Sequence, residues 1–422
     1  MTDGTRIPER MQMPEQYDLV VTGAGPAGLF CAIHAADACR VLVLEKNAKP
    51  GVKILLAGSG QCNLTHDGDI REFFTHYGNH GKFLKPALMS FTNRDLVAFF
   101  EERSLTITTD GNGKMFPQTR QSEDVLAVLL AECRKRGVTI RCSEPVMGIS
   151  RNAESFTIAT GTAAFRARTV AITTGGASYP QCGTTGDGYR FAESLGQPVT
   201  GTGPALTPLL VRPFPFASLM GIAFERMRFS VWREGKKVAD YTGDVLFTHL
   251  GLSGPGILDA SRGIRPGDVV RLSFAGAMGR EEFAADIAKR AAENPGWQVG
   301  TILAKYPLPE RLNRKLLQLS GIPDDLKCAH LSAAQRAALV TNCTAFPLTV
   351  ALLGDYKIAM VTRGGVALDG VNAKTMESKL VPGLYFAGEV LDIDGDTGGY
   401  NIQAAFSTGY LAAHDIRKRS GA

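Results

Sequence analysis

The feature that most narrows the fold lies between Tyr17 and Glu45. A short apolar run, Tyr17 to Val21, ends at Gly23-Ala24-Gly25-Pro26-Ala27-Gly28. A small, apolar stretch from Pro26 to Ala38 follows, and then a second apolar run, Arg40 to Leu44. Continuous apolar runs of this length read as buried parallel strands, and the segment between them reads as a helix with Pro26 near its first turn. Strand, turn, helix and strand make a βαβ unit. Its turn is G-x-G-x-x-G. Gly23 permits the tight turn, Gly25 lets the backbone approach a pyrophosphate, and Gly28 lets helix and strand pack closely. Free N–H groups and the positive end of the helix dipole then face the anion. Glu45 closes the second strand about 20 residues after Gly23, where an acid takes ribose hydroxyls, and Lys46 follows it. An acid at that point favours an unphosphorylated ribose, as in FAD or NAD, over NADP.

Two other glycine pairs are decoys. Gly201-Thr202-Gly203-Pro204 lacks the third glycine and a preceding buried strand, and Gly111-Asn112-Gly113-Lys114 lacks the first glycine and the Ser/Thr of a P-loop. Both read as turns. The chain thus carries one dinucleotide fingerprint, whereas flavin enzymes that hold NAD(P)H in a dedicated domain show two.

A length of 422 residues suits two to three domains at ~150 each. The segment to residue 16 is polar, holds Pro8 and Pro14, and reads as a disordered tail rather than a signal peptide. Residues 17–200 read as the first segment of the dinucleotide domain. It contains helices over Asn93 to Arg103, with Asn93 as a possible cap, and Ser122 to Arg136, and a meander with Val146 in one of its strands. Residues 201–345 read as an inserted domain with a β part and a helical part, and 346–422 as the sheet resumed. The resumed segment has strands at Lys357 to Thr362 and Gly383 to Ala387 and a helix from Tyr400 to Arg417. Glycine, 47 of 422 residues, exceeds the average ~7% and points to tight turns and close backbone–ligand contacts. The eight cysteines form no C-x-x-C pair, so no metal or dithiol centre is expected. Single thiols without an export signal suit the cytoplasm. No apolar run reaches the ~18 residues of a membrane span. A net charge of +5 without a basic stripe argues against nucleic acid as a partner. The oligomeric state is left open.

Further segments favour a flavin. Thr173-Thr174-Gly175-Gly176 ends a returning strand in a turn able to approach it. In the run Gly383 to Gly409, Gly388-Glu389 sets a carboxylate at a strand's carboxyl edge, able to accept from ribityl hydroxyls. Gly398-Gly399-Tyr400-Asn401-Ile402 opens the last helix toward the pyrimidine edge of an isoalloxazine, where reduction gathers negative charge.

Gly51-Val52-Lys53-Ile54-Leu55-Leu56-Ala57-Gly58-Ser59-Gly60-Gln61-Cys62-Asn63-Leu64-Thr65 closely resembles the signature of the YhiN-like flavoproteins, the BaiN/RdsA family that includes aminoacetone oxidases. Matches continue at Gly175 to Pro180, Leu246 to Pro255, Thr375 to Lys379 and through the C-terminal run, so the resemblance covers nearly the whole chain. Val52 stands where the family usually has a basic or polar residue; the signature's following lysine is kept as Lys53. The resemblance implies a glutathione-reductase-like Rossmann FAD domain in two segments, interrupted by a β-barrel plus helical insert. It also implies non-covalent FAD and a small-molecule substrate.

Because a flavin performs hydride transfer itself, the protein is expected to supply position and electrostatics. Lys53, Gly58, Gly60, Cys62, Asn63 and Thr65 are expected near the cofactor, with Cys62 either a buried filler or a flavin-adjacent thiol. His249, Tyr400 and Tyr179 are the candidate proton donors. The leading function is an FAD oxidoreductase that takes hydride from a transient NAD(P)H and reduces a small enone-type substrate. The alternatives are an oxidase of a small amine or amino ketone using O2, and an FAD-bearing RNA-modifying or RNA-binding protein.

Overall fold

Leu19, Val20, Val21, Leu42 and Val43 are completely buried, as strands covered on both faces require. Their strands, Glu15–Thr22 and Val41–Leu44, run parallel, with Leu19 opposite Val41 and Thr22 opposite Leu44. The computed structural model describes residues 14–421 and divides into two compact units. One comprises the described residues through Gly203 together with those from Val361; the other is Pro204–Met360.

The first unit is built on a seven-stranded sheet ordered Thr139–Arg141, Val41–Leu44, Glu15–Thr22, Ala164–Ile172, Phe156–Thr160, Val146–Arg151, with Leu384–Phe386 also beside Ala164–Ile172. Ala164–Ile172 changes partner along its length. Ala164 to Ala167 pair antiparallel with the meander strand Phe156–Thr160, and Val170 to Ile172 pair parallel with Leu384–Phe386. The meander therefore leaves the sheet before its carboxyl edge, where the C-terminal segment takes its place. The helices Pro26–Ala35 and Tyr400–Arg419 pack together through small residues, and a Cβ at Gly409 would lie 2.5 Å from Ala27 O. Phe30, on the first of these helices, meets Phe91, Phe99 and Phe406 edge-on at 4.9–5.0 Å.

The tail reading at residues 1–13 lies outside the described residues. Its end is corrected: Glu15 and Gln16 belong to the first strand, in register with Phe165 and Arg166, and the Glu15 carboxylate meets Arg141 at 2.5 Å. The helix Asn93–Glu101 is capped by Thr92, not Asn93. Thr92 and Asp95 form a reciprocal capping box, and Asn93 instead donates to His66 O and Gly68 O.

In the second unit, six strands close a barrel in the order Leu209–Val211, Gly251–Ser253, Lys236–Phe247, Ala223–Arg233, Val269–Ser273, Phe346–Leu353. Every pairing in it is antiparallel. Phe346–Leu353 completes the closure, so this unit continues past residue 345, where the sequence reading ended the insert. Phe216 and Phe247 stack at 5.0 Å in its core, with Phe274 and Phe346 against them. The helices Arg280–Glu293, Val299–Leu303, Glu310–Leu319 and Ala333–Thr344 follow the fifth barrel strand. A short paired charge, Arg233 with Asp268 at 2.8 Å, links two strands through a nearly buried carboxylate whose pKa the Arg233 hydrogen bond lowers.

The crossing of the two helices yields a prediction. Gly409→Ala places a methyl against a backbone carbonyl that cannot swing aside. It should lower the urea midpoint by an amount equivalent to about 1–3 kcal/mol, with an unchanged m-value.

Candidate dinucleotide and flavin site

The carboxyl edge of the parallel strands gathers four glycine-containing segments from distant parts of the first unit. In the turn after the first strand, the three glycines differ in surroundings. Gly23 has φ +97°, and a Cβ there would lie 2.8 Å from Thr173 O. A Cβ at Gly28 would lie 2.0 Å from Gly23 O and 2.5 Å from Thr173 Oγ1. At Gly25 nothing lies within 4 Å of the added atom. Two glycines are therefore demanded by packing and the middle one by open space above the turn. The N–H groups of Gly25, Ala27 and Gly28 have no acceptor among the described residues. Together they form the anion cradle that a helix start provides.

Glu45 is 8% exposed and holds the same turn. Its carboxylate accepts from Ala24 N at 2.9 Å and from Asn47 N at 2.8 Å. Ser143 N donates to Asn47 O and Glu144 N to Glu45 O, so the chain leading into Val146 runs beside Glu45. Lys46 points elsewhere, donating to Thr185 Oγ1 and Asp187 Oδ2 at 2.6 Å each.

Lys53, expected from sequence near the flavin or its phosphates, and Glu389, expected to accept from ribityl hydroxyls, pair with each other at 2.6 Å. Their side chains are 25% and 19% exposed. The second Glu389 oxygen accepts from Thr362 N at 2.9 Å, and the Thr362 hydroxyl accepts from Ala177 N and Ser178 N. A Cβ at Gly176 would press on Thr362 Oγ1 at 2.5 Å and Glu389 Oε1 at 2.9 Å, which explains glycine after Gly175. Thr174 lies beside this turn; Thr173 ties it to the first strand by donating to Thr22 O and Gly23 O. Tyr179 has φ +58°, a strained conformation for a bulky residue, and its carbonyl accepts from Cys182 N and Thr184 Oγ1.

The segment around Gly58 and Gly60 is equally contorted: Gly58, Ser59, Gly60 and Cys62 all have positive φ. Cys62 is fully buried, and burial pushes its thiol up to about 12, so it fills space as a protonated group rather than a reactive one. Asn63, with its amide oxygen toward Gly399 N at 3.1 Å and its nitrogen toward Thr65 O at 3.0 Å, fastens this segment to the last helix. Gly399 caps that helix at φ +99°, and a Cβ there would lie 2.5 Å from Thr65 O. Gly388 and Gly398 also have positive φ. In the first turn of the helix, the N–H groups of Asn401 and Ile402 have no acceptor among the described residues.

Tyr400 is buried at the helix start, stacked on His76 at 3.9 Å and on His66 at 5.6 Å between ring centroids. His76 Nδ1 lies 2.8 Å from Asp396 Oδ2. This cluster was missed from sequence, although three of the seven histidines fall between positions 66 and 80. His249 lies in the second unit, at the exposed turn between two barrel strands.

The free N–H cradle, the acid on the turn and the second helix start fit an FAD, which has a pyrophosphate, a ribose and a pyrimidine edge to satisfy. Among the described residues no group of three or more His, Cys, Asp or Glu could hold a metal ion, and no helix is long and apolar enough to cross a membrane.

The profile of the HI0933-like protein Rossmann domain matches residues 17–415. The chain is 32% identical over 403 residues to the ribosomal RNA dihydrouridine synthase of Escherichia coli (strain K12), covering 95% of this chain and 98% of that protein. It is 31% identical over 409 residues to the 3-dehydro-bile acid delta(4,6)-reductase of Clostridium scindens, covering 94% and 98%. Among solved structures, the 3-ketosteroid-delta4-(5alpha)-dehydrogenase of Rhodococcus jostii RHA1 aligns at a TM-score of 0.50, with 15% identity over 97% of this chain and 99% of that one. At that identity the likeness speaks for the fold alone.

The contrast among the turn glycines is testable. Gly25 has extended backbone, φ −83° and ψ −177°, which valine also adopts. Gly25→Val should leave the apoprotein's stability within about 0.5 kcal/mol but abolish FAD retention, read as loss of yellow colour after desalting. Gly28→Val should lower the melting temperature itself.

Proposed function

The chain belongs to the HI0933-like Rossmann-domain family of FAD-dependent oxidoreductases, and from that premise we propose that it takes hydride from NAD(P)H and reduces a small enone-type substrate. The observation that carries the reading is the turn in which Gly23 and Gly28 are pinned by packing while Gly25 faces open space and unpaired N–H groups. When bound, FAD supplies the hydride chemistry; the residues described hold and polarise it.

In this reading, Gly25, Ala27 and Gly28 hold the pyrophosphate through their N–H groups, as in other helix-start anion sites. Glu45 fixes the turn and keeps lone pairs for the ribose hydroxyls. The Lys53–Glu389 pair, braced by Thr362, presents a neutral couple rather than a lone charge to the cofactor's middle portion. Asn401 and Ile402 N–H groups face the pyrimidine edge, where their dipoles favour negative charge.

The choice of substrate class rests on what the two relatives' names share. Making dihydrouridine saturates a ring C=C bond conjugated to a carbonyl, and a delta(4,6)-reductase acting on a 3-dehydro compound does the same in a steroid skeleton. A conjugated C=C–C=O is the common acceptor. NAD(P)H is read as a transient donor because the second unit's barrel contains only antiparallel pairs, unlike a βαβ nucleotide domain. The ribosomal RNA relative keeps a second reading open, with a uridine in RNA as the enone-type acceptor.

Expected results are a yellow protein whose FAD is released on denaturation and bleached anaerobically by NADH or NADPH. Initial-rate plots at varied donor and acceptor should be parallel, because both ligands use one flavin face in turn. Bleaching by an amino ketone but not by a nicotinamide would favour the oxidase. Dihydrouridine formed in RNA, with free enones left untouched, would favour the second reading.

A further inference from the structure

The two imidazoles stacked on Tyr400 are not equivalent. His66 Nδ1 accepts from Gly68 N at 3.2 Å, which leaves Nε2 as the donor to Asn112 O at 3.0 Å. Both of its nitrogens are used, and the ring is a fixed packing group. His76 is held differently. Its Nδ1 faces the Asp396 carboxylate at 2.8 Å, its ring lies within 13° of parallel to Tyr400, and its Nε2 has no hydrogen-bond partner among the described residues. The side chain is 33% exposed, so this nitrogen is open to a ligand.

The backbone reinforces the arrangement. Asp396 N donates to His76 O at 2.8 Å, so the two residues are tied by main chain as well as side chain. Asn401 holds the loop from the other side, donating to Gly395 O at 2.9 Å and accepting from Gly395 N at 2.7 Å. Tyr77, buried beneath, donates its hydroxyl to Tyr400 O at 2.8 Å. The loop so fixed is the one that delivers the helix start with the unpaired Asn401 and Ile402 N–H groups. A carboxylate on Nδ1–H sets the tautomer and orientation of an imidazole and frees Nε2 for proton transfer. A histidine wanted only for stacking needs no open nitrogen, and His66, whose Nδ1 also lies 3.6 Å from Asp67 Oδ1, leaves none.

We propose that His76 is the proton donor of this flavin site and that Asp396 is its positioning residue. The inference rests on the proposed reduction of a conjugated enone. In that reaction the β-carbon gains a hydride that originates on the nicotinamide, and the electron pair of the C=C bond moves onto the α-carbon. The α-carbon then forms its new C–H bond with the proton that the imidazolium form of His76 carries on Nε2, which leaves the neutral ring with its Nδ1–H on Asp396. Water then returns a proton to Nε2, and the sum is one hydride and one proton added across one double bond.

Two measurements on the full-length protein test this. The first needs no turnover. Diethylpyrocarbonate modification of His76, followed by peptide mass spectrometry, should slow at least tenfold when the apoprotein is loaded with FAD, while exposed His330 reacts at an unchanged rate. Equal modification of His76 with and without FAD would place it outside the site and end the proposal. The second uses His76→Gln, Asp396→Asn and His249→Ala, with cyclohexenone and a steroid enone as acceptors in D2O. His76→Gln should keep FAD and its anaerobic bleaching by NAD(P)H. It should slow reoxidation by the enone about 100-fold or more, the usual worth of a general acid. Its product should carry α-deuterium on both faces, where the wild type labels one. Asp396→Asn should shift rate and labelling in the same direction by less. One-faced labelling retained in His76→Gln, or lost instead in His249→Ala, would overturn the assignment. A wild-type protein that binds FAD yet reduces no enone would retire the proposed function and, with it, the proton acceptor named here. Absence of FAD binding would instead retire the cofactor reading.

Discussion

Everything at the carboxyl edge of the sheet depends on how closely two backbones approach at Thr173 and the turn Gly23 to Gly28. Thr173 donates its hydroxyl to both Thr22 O and Gly23 O, and two glycines are needed because a single methyl at either would overlap main-chain atoms. That contact sets the height of the first helix over the sheet. It thereby fixes where the helix's unpaired N–H groups point and where Gly409 of the last helix can lie against Ala27. A contact between rigid backbone atoms cannot be relaxed by a rotamer change, so it specifies geometry more sharply than any side-chain pair in the region.

The local parts of this arrangement were legible in the chain. The apolar runs before Gly23 and before Glu45 have the continuous pattern of doubly covered strands, and the glycine spacing between them has a mechanical reason at each position. The family followed from longer motifs in their order. Other features were invisible because they join residues far apart. Lys53 and Glu389 each read as a free ligand of the cofactor, yet they neutralise one another across most of the chain. His76 and Asp396 show no shared periodicity, and only the folding of the last segment against residues 73–80 brings them together. Asn93 looked like a helix cap by residue type, but Thr92 one position earlier completes the box with Asp95, and the asparagine is drawn to other carbonyls. Phe346–Leu353 has the alternating burial of a barrel strand, but nothing local distinguishes it from a strand of the resumed sheet.

Charge is handled sparingly in the first unit. The carboxylates of Glu45 and Glu389 are each met by backbone N–H groups, and Glu389 also by a lysine, so neither is left without a partner. The thiols are likewise silenced: burial pushes Cys31, Cys62 and Cys133 up to about 12, and Cys343 of the second unit as well. These thiols stay protonated near neutrality and are poor nucleophiles.

The split of the first unit across the chain has a consequence for how the protein is made. Its first sheet strands emerge from the ribosome early, but Leu384–Phe386 and the helix Tyr400–Arg419 emerge only after the whole second unit. Until then the flank of Ala164–Ile172 lacks its parallel neighbour, and the Pro26–Ala35 helix lacks the partner that Gly409 brings against it. The barrel unit, whose strands and helices are contiguous in sequence, is free to fold while the older half waits. The sheet edge that gathers the glycine-containing segments is thereby completed only late in synthesis.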